Sequence, residues 1–102
     1  MSRLTTHVLD IVRGTGAAGM QVEVSAPDGQ VSTCMLDDGG RATLLTDLKP
    51  GAYEIRFFAG DYLGAKSFYD IIPVRCLIDS GIEHYHVPLI LSAYGYSTYR
   101  GG

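Results

Sequence analysis

The chain has 102 residues, 46% of them hydrophobic, enough for one packed core and too few for a second, so a single domain over residues 1–102 is expected. Eight Lys and Arg stand against 11 Asp and Glu, and the formal charge of -3 has the wrong sign for a surface that tracks phosphates, which speaks against nucleic acid as a partner. No run of about 18 apolar residues offers a membrane span, and His7, Asp10 and Arg13 interrupt the stretch where a signal peptide needs its apolar centre, so a cytoplasmic protein without membrane association is expected.

The 13 glycines punctuate short segments rich in Val, Ile, Leu, Tyr and Thr, the pattern of an all-β chain with tight turns. A first strand is expected over residues 4–12. Residues 13–19, Arg-Gly-Thr-Gly-Ala-Ala-Gly, follow as a connector too rich in glycine to hold strand or helix. Strands at 20–26 and 31–35 flank Pro27-Asp28-Gly29-Gln30, a hairpin turn in which Pro presets φ and Gly takes φ > 0. Asp37-Asp38-Gly39-Gly40 leads into a strand at 41–45, and Lys49-Pro50-Gly51 into one at 52–58. Tyr62, Ala65 and Phe68 then recur at helical spacing with Asp61 as a candidate N-cap, which predicts one short helix over 61–68 despite Gly64. Pro73 suits the first residue of a strand over 73–79, and the last two strands fall at 84–92 and 96–100. Eight short strands without βαβ alternation point to two antiparallel sheets packed face to face. Cys34 and Cys76, far apart and set in apolar runs, read as reduced, partly buried thiols without a chemical role.

Two of the three histidines, His84 and His86, flank Tyr85 within one strand, where the period of two sends both imidazoles to the same face. His7 lies in the middle of the first strand. A strand histidine is commonly a surface or hydrogen-bonded structural residue, whereas two on one face make a local site. With His7 close by, His7, His84 and His86 would also form a three-histidine zinc site with a fourth position open to water. Arg41 reads two ways: a solvated cation paired with a neighbouring aspartate, worth little, or a fixed guanidinium that neutralises charge developing on a carbonyl oxygen. The tail from Tyr94 keeps aromatic and polar residues where chain ends usually fray. Edge-strand packing accounts for its tyrosines but not for Arg100-Gly101-Gly102.

Leu4-Thr5-Thr6-His7-Val8-Leu9-Asp10, Asp38-Gly39-Gly40-Arg41 and His84-Tyr85-His86-Val87-Pro88-Leu89, with Tyr94-Gly95-Tyr96-Ser97-Thr98-Tyr99-Arg100-Gly101 behind them, resemble the 5-hydroxyisourate hydrolases, enzymatic relatives of transthyretin. Pro50-Gly51-Ala52-Tyr53 and Ser67-Phe68-Tyr69 fall in the expected order, so the likeness covers essentially the whole chain. It implies a transthyretin-like (prealbumin-like) two-sheet antiparallel β-sandwich with one short helix. It also implies a homotetramer, built as a dimer of dimers with active sites in a channel between the dimers. The implied reaction is hydrolysis of a cyclic amide C–N bond, from 5-hydroxyisourate to 2-oxo-4-hydroxy-4-carboxy-5-ureidoimidazoline in urate degradation, with no cofactor required and zinc on the histidines optional. His7, Arg41, His86 and Tyr99 would be the catalytic group. In it His86, helped by His7, would act as general base and then acid, Arg41 would hold the oxyanion or orient the substrate, and Tyr99 would position the ring. His84, Arg100, Gly101 and Gly102 would line and close the site.

The chain departs from the family pattern at three places. Gly102 ends it where the family has Ser, Ala93 stands where a Pro usually precedes the Tyr-Gly-Tyr run, and Asp70 replaces the Pro after Tyr69. These departures keep two further readings open: a transthyretin-fold enzyme reassigned to another heterocycle in specialised metabolism, and a small-ligand binding module without turnover. Transthyretin itself, a hormone carrier, lacks the histidine and terminal signatures.

Overall fold

A computed structural model of the chain describes residues 2–79 and 81–101. Its elements run β1 (Arg3–Asp10), β2 (Thr15–Gly16), β3 (Gln21–Ser25), β4 (Val31–Met35), β5 (Arg41–Thr46), β6 (Gly51–Phe58), α1 (Ala59–Leu63) with a 3-10 turn at Gly64–Lys66, β7 (Ile71–Ile78), β8 (His84–Leu91) and β9 (Tyr96–Thr98). One sheet has the order β2-β1-β8-β9, with β5 pairing β1 on the side that β2 also uses; the other has the order β4-β3-β6-β7.

Period-two patterning explains why these sheets face one another. On β1, Leu4, Thr6, Val8 and Asp10 are buried, while Arg3 and Leu9 are exposed and Thr5 and His7 half-buried. On β3 and β6, Val22, Val24, Ile55 and Phe57 point inward and meet Leu89 and Leu91 of β8 in one core. Burial of large side chains of this kind is worth about 2 kcal/mol each. Most pairings are antiparallel. β1 and β8 are the exception, running parallel from Arg3 opposite His84 to Asp10 opposite Leu91.

Several boundaries differ from expectation for physical reasons. β1 ends at Asp10 rather than Val12, because the Asp10 carboxylate turns the chain by accepting from the backbone N–H groups of Val12 at 2.9 Å and Arg13 at 3.0 Å. The same buried carboxylate accepts from the Tyr62 hydroxyl at 2.7 Å, which ties α1 to the end of β1. Part of the expected connector pairs after all, Thr15 and Gly16 lying opposite Asp10 and Leu9 as β2. The helix starts at Ala59, two residues before the expected cap, because its buried side chains are Ala59 and Leu63 and not the Tyr62, Ala65, Phe68 stripe. Asp61 therefore sits inside the first turn, where its charge suits the helix N-terminus. β7 opens at Ile71, and Pro73 lies within it, as an edge strand tolerates.

Pro88 shapes the last strand. Its carbonyl accepts from the Thr98 hydroxyl at 2.7 Å, but it has no N–H to return. The β8–β9 ladder accordingly stops at Leu89 opposite Thr98 and resumes only as a single bridge between His86 and Gly101, so the expected strand over 96–100 is cut to Tyr96–Thr98.

The loop before β5 is packed against β1 and β2 through backbone. Gly40 has φ 76°, its carbonyl accepts from the Val8 N–H at 2.8 Å, and a Cβ there would fall 2.6 Å from both the Val8 carbonyl oxygen and the Ala17 nitrogen. Gly40→Ala is expected to lower stability by about 1–3 kcal/mol. Urea unfolding of both proteins checks this, and an unchanged midpoint would refute the close packing.

Candidate active site

Three strands of the first sheet present the site on their outer face. From β1 come Thr5 and His7, from β8 His84 and His86, and from β5 Arg41 and Thr43. Register makes them neighbours: Thr5 lies opposite His86 in the parallel pair and opposite Thr43 in the antiparallel one, while His7 lies opposite Arg41. Thr5, Arg41, Thr43, His84 and His86 line an open cavity of about 400 Å³ together with Asp37. That volume suits a small heterocycle.

Asp37 builds the approach to Arg41. Its Oδ1 accepts from the backbone N–H groups of Gly39 at 3.0 Å and Arg41 at 2.8 Å, fixing where β5 begins. Asp37 Oδ1 is thus occupied by backbone, and among the described residues no carboxylate is ion-paired with the Arg41 guanidinium. Of the two readings of Arg41, the geometry favours a cation facing the cavity over one neutralised by its neighbouring aspartate.

The two histidines of β8 are joined by a residue that the histidine spacing alone does not single out. Thr5 Oγ1 lies 2.6 Å from His84 Nε2 and 2.8 Å from His86 Nδ1. Its signal was its position two residues before His7, which puts it on the same face of β1. The imidazole centroids are 5.9 Å apart, with the hydroxyl between them. Among the described residues no three His, Cys, Asp or Glu side chains are grouped to hold a metal ion. One ring nitrogen of each β8 histidine is turned to Thr5 instead.

His86 is held below the ordinary imidazole value by burial first, and then by the positive charges of His84, His7 and Arg41 around it. It is therefore neutral near pH 7, the form that can exchange protons with a substrate.

The tail divides. Gly101 stands over His86: its N–H donates to the His86 carbonyl at 2.7 Å, and a Cβ on it would fall 2.7 Å from His86 Cδ2. Tyr99 and Arg100 are not brought to the histidines within the protomer. They line a second cleft of about 390 Å³ at the open edge between the sheets, beside Val74, Cys76 and Val87. Arg100 lies there over the ring of the inward-facing Tyr85, 5.2 Å from its centroid. Gly102 lies outside the described residues. Cys34 and Cys76 are both free thiols, pushed up in pKa by burial.

The sequence model of the HIUase/Transthyretin family matches residues 4–101. A 5-hydroxyisourate hydrolase of Pseudomonas aeruginosa is 40% identical over 99% of this chain and 92% of its own. The solved structure of Klebsiella pneumoniae 5-hydroxyisourate hydrolase superposes with a TM-score of 0.88 at 33% identity, covering 100% of both chains. Sea bream transthyretin, solved in complex with thyroxine, superposes with a TM-score of 0.85 at 28% identity over 96% of this chain and 93% of its own.

Replacing Arg41 by Gln removes one of the charges that hold His86 down. NMR titration is expected to place His86 below about 6.5, the ordinary imidazole value, and to move it upward in Arg41→Gln. A downward or absent shift would contradict the assigned electrostatics.

Proposed function

This chain belongs to the HIUase/Transthyretin family, and on that premise we propose that it is an enzyme that hydrolyses 5-hydroxyisourate in urate degradation. The observation that carries the reading is the cluster of Thr5, Arg41, His84 and His86 around one cavity, with His7 beside it. Sea bream transthyretin has the same fold and was solved with thyroxine, so the fold alone does not select hydrolysis over binding. A cluster of hydrogen-bonded imidazoles beside an unneutralised guanidinium does select it, because both features serve proton transfer and charge stabilisation.

Opening a cyclic amide-like C–N bond needs an activated water, a stabilised oxyanion and a proton for the leaving nitrogen. His7 and His86 supply the acid–base pair, and the guanidinium of Arg41, with its planar fork of donors, faces the oxygen on which charge develops. His84 lines the cavity wall and Gly101 packs over His86. Tyr99 and Arg100 complete the closure at the seam between copies. No step in this scheme needs a metal or organic cofactor.

A homotetramer, assembled as a dimer of dimers in the cytoplasm, suits the surface. β7 and β9 are sheet edges without a paired neighbour among the described strands, and they carry the exposed Leu77 and Tyr96. Bare edges with apolar side chains are templates for a second copy. Covering the open cavity would exclude bulk water and strengthen the electrostatics inside. Among the described residues no helix is long and apolar enough to cross a membrane.

The reading is tested by generating 5-hydroxyisourate with a urate oxidase and following its ultraviolet absorbance. Rapid decay is expected with this protein, reduced by about a hundredfold or more in His86→Ala or Arg41→Ala. Binding without acceleration would move the function to that of a ligand carrier, and selective turnover of a different heterocycle would move it to a reassigned enzyme. Sedimentation is expected to give a tetramer rather than an 11.0 kDa monomer.

A further inference from the structure

The Thr5 hydroxyl touches two imidazoles at once, and the donors around it give the contacts a direction. Arg3 Nη2 lies 3.5 Å from His84 Nδ1, and a guanidinium can only donate. His84 therefore accepts at Nδ1, so in its neutral form it carries its proton on Nε2. That N–H points its hydrogen bond at Thr5 Oγ1, 2.6 Å away. A hydroxyl has one proton to give. With His84 donating to its oxygen, Thr5 keeps that proton free for His86 Nδ1, 2.8 Å away. Neutral His86 is then left with its own proton on Nε2.

We propose that Arg3, His84, Thr5 and His86 form a directed hydrogen-bond chain in which Thr5 positions the His86 ring and fixes its tautomer, so that His86 meets the substrate as a proton donor at Nε2. This rests on the hydrolytic reading and refines it, because it makes His86 the acid and leaves His7 as the base that takes the proton of the attacking water. Thr5 is a positioning residue: it acts through His86 and forms no bond with the substrate.

The protons balance along the chain. When His86 Nε2 protonates the leaving nitrogen, His86 Nδ1 takes the Thr5 proton and Thr5 takes the Nε2 proton of His84. His84, which is exposed, regains a proton from water at Nδ1 as its contact with Arg3 opens. His86 Nε2 is now bare. The proton that His7 took from the attacking water passes to that nitrogen, the transfers run backward, and His84 returns a proton from Nδ1 to solvent. Among the described residues, the charged and titratable groups facing His86 are His7 from β1, Arg41 from β5 and His84 from its own strand, while the tail beyond β9 contributes the backbone of Gly101. Asp37, across the cavity, has its Oδ1 engaged by backbone N–H groups.

Nitrogen-15 NMR of the full-length protein, above the pH where His86 titrates, reads the tautomers directly. His84 and His86 are both expected as Nε2–H in the wild type. Thr5→Val, which keeps the shape and removes the hydroxyl, is expected to release His86 into a mixture of tautomers, and Thr5→Ser to restore Nε2–H. In the 5-hydroxyisourate assay, Thr5→Val should lower kcat by about tenfold to a hundredfold with KM little changed, and Thr5→Ser should stay near wild type. A wild-type His86 carrying its proton on Nδ1 overturns the proposal without any variant, as does a Thr5→Val protein whose tautomer and kcat are unaltered. An inactive wild type with the Nε2–H tautomer would support the chain of hydrogen bonds and overturn the hydrolase reading, so the two failures are told apart.

Discussion

The parallel pairing of β1 with β8 is the constraint on which the site depends. Eight residues of each strand run in register, and the register puts outward Arg3 and Thr5 opposite outward His84 and His86. A one-residue slip would send Thr5 and His7 into the core and bring Leu4 and Val8 out, because side chains alternate with a period of two. Burial forbids that: Leu4 and Val8 are wholly inaccessible. The hydrophobic patterning that stabilises the sandwich therefore also sets which polar groups share its outer face. Thr6 reinforces the register from inside, its hydroxyl donating to the Val87 carbonyl at 2.7 Å.

A second consequence follows from crowding cations on one face. His7, His84 and Arg41 are all groups that can carry positive charge, and, after burial, each disfavours a charge on His86. Arg41 is always charged, so His86 yields. Neutral imidazoles are what hydrogen-bond chains require, since a neutral ring has one donor and one acceptor and can pass direction along. Thr5 joins the two β8 histidines by engaging one ring nitrogen of each.

Much of this architecture was legible in the sequence. Alternating burial gave the strands, Gly and Pro clusters gave the turns, and the His84-Tyr85-His86 spacing gave two imidazoles on one face. Three features were not legible, each because it depends on contacts distant in sequence. β2 has little strand propensity of its own and exists because the end of β1 offers it a partner. The helix start was misplaced because Ala59 and Leu63 gain burial only once both sheets are present, whereas Tyr62 spends its hydroxyl on Asp10. Thr5 was hidden because a threonine in a strand is ordinary, and its meaning arises only when β8 pairs beside it.

Fold likeness and site chemistry carry different weights here. A transthyretin solved with thyroxine and a 5-hydroxyisourate hydrolase superpose on this chain almost equally well, with TM-scores of 0.85 and 0.88, so the sandwich is permissive about what its outer face does. A ligand carrier gains from apolar walls and a few fixed polar contacts. This face instead carries two imidazoles, a hydroxyl that joins them and a guanidinium without a carboxylate partner among the described residues. Such groups cost stability when desolvated and contribute little to holding an apolar ligand. Their presence together on one face of the sheet is accounted for when protons and developing negative charge pass through that point, which is what ring-opening hydrolysis requires.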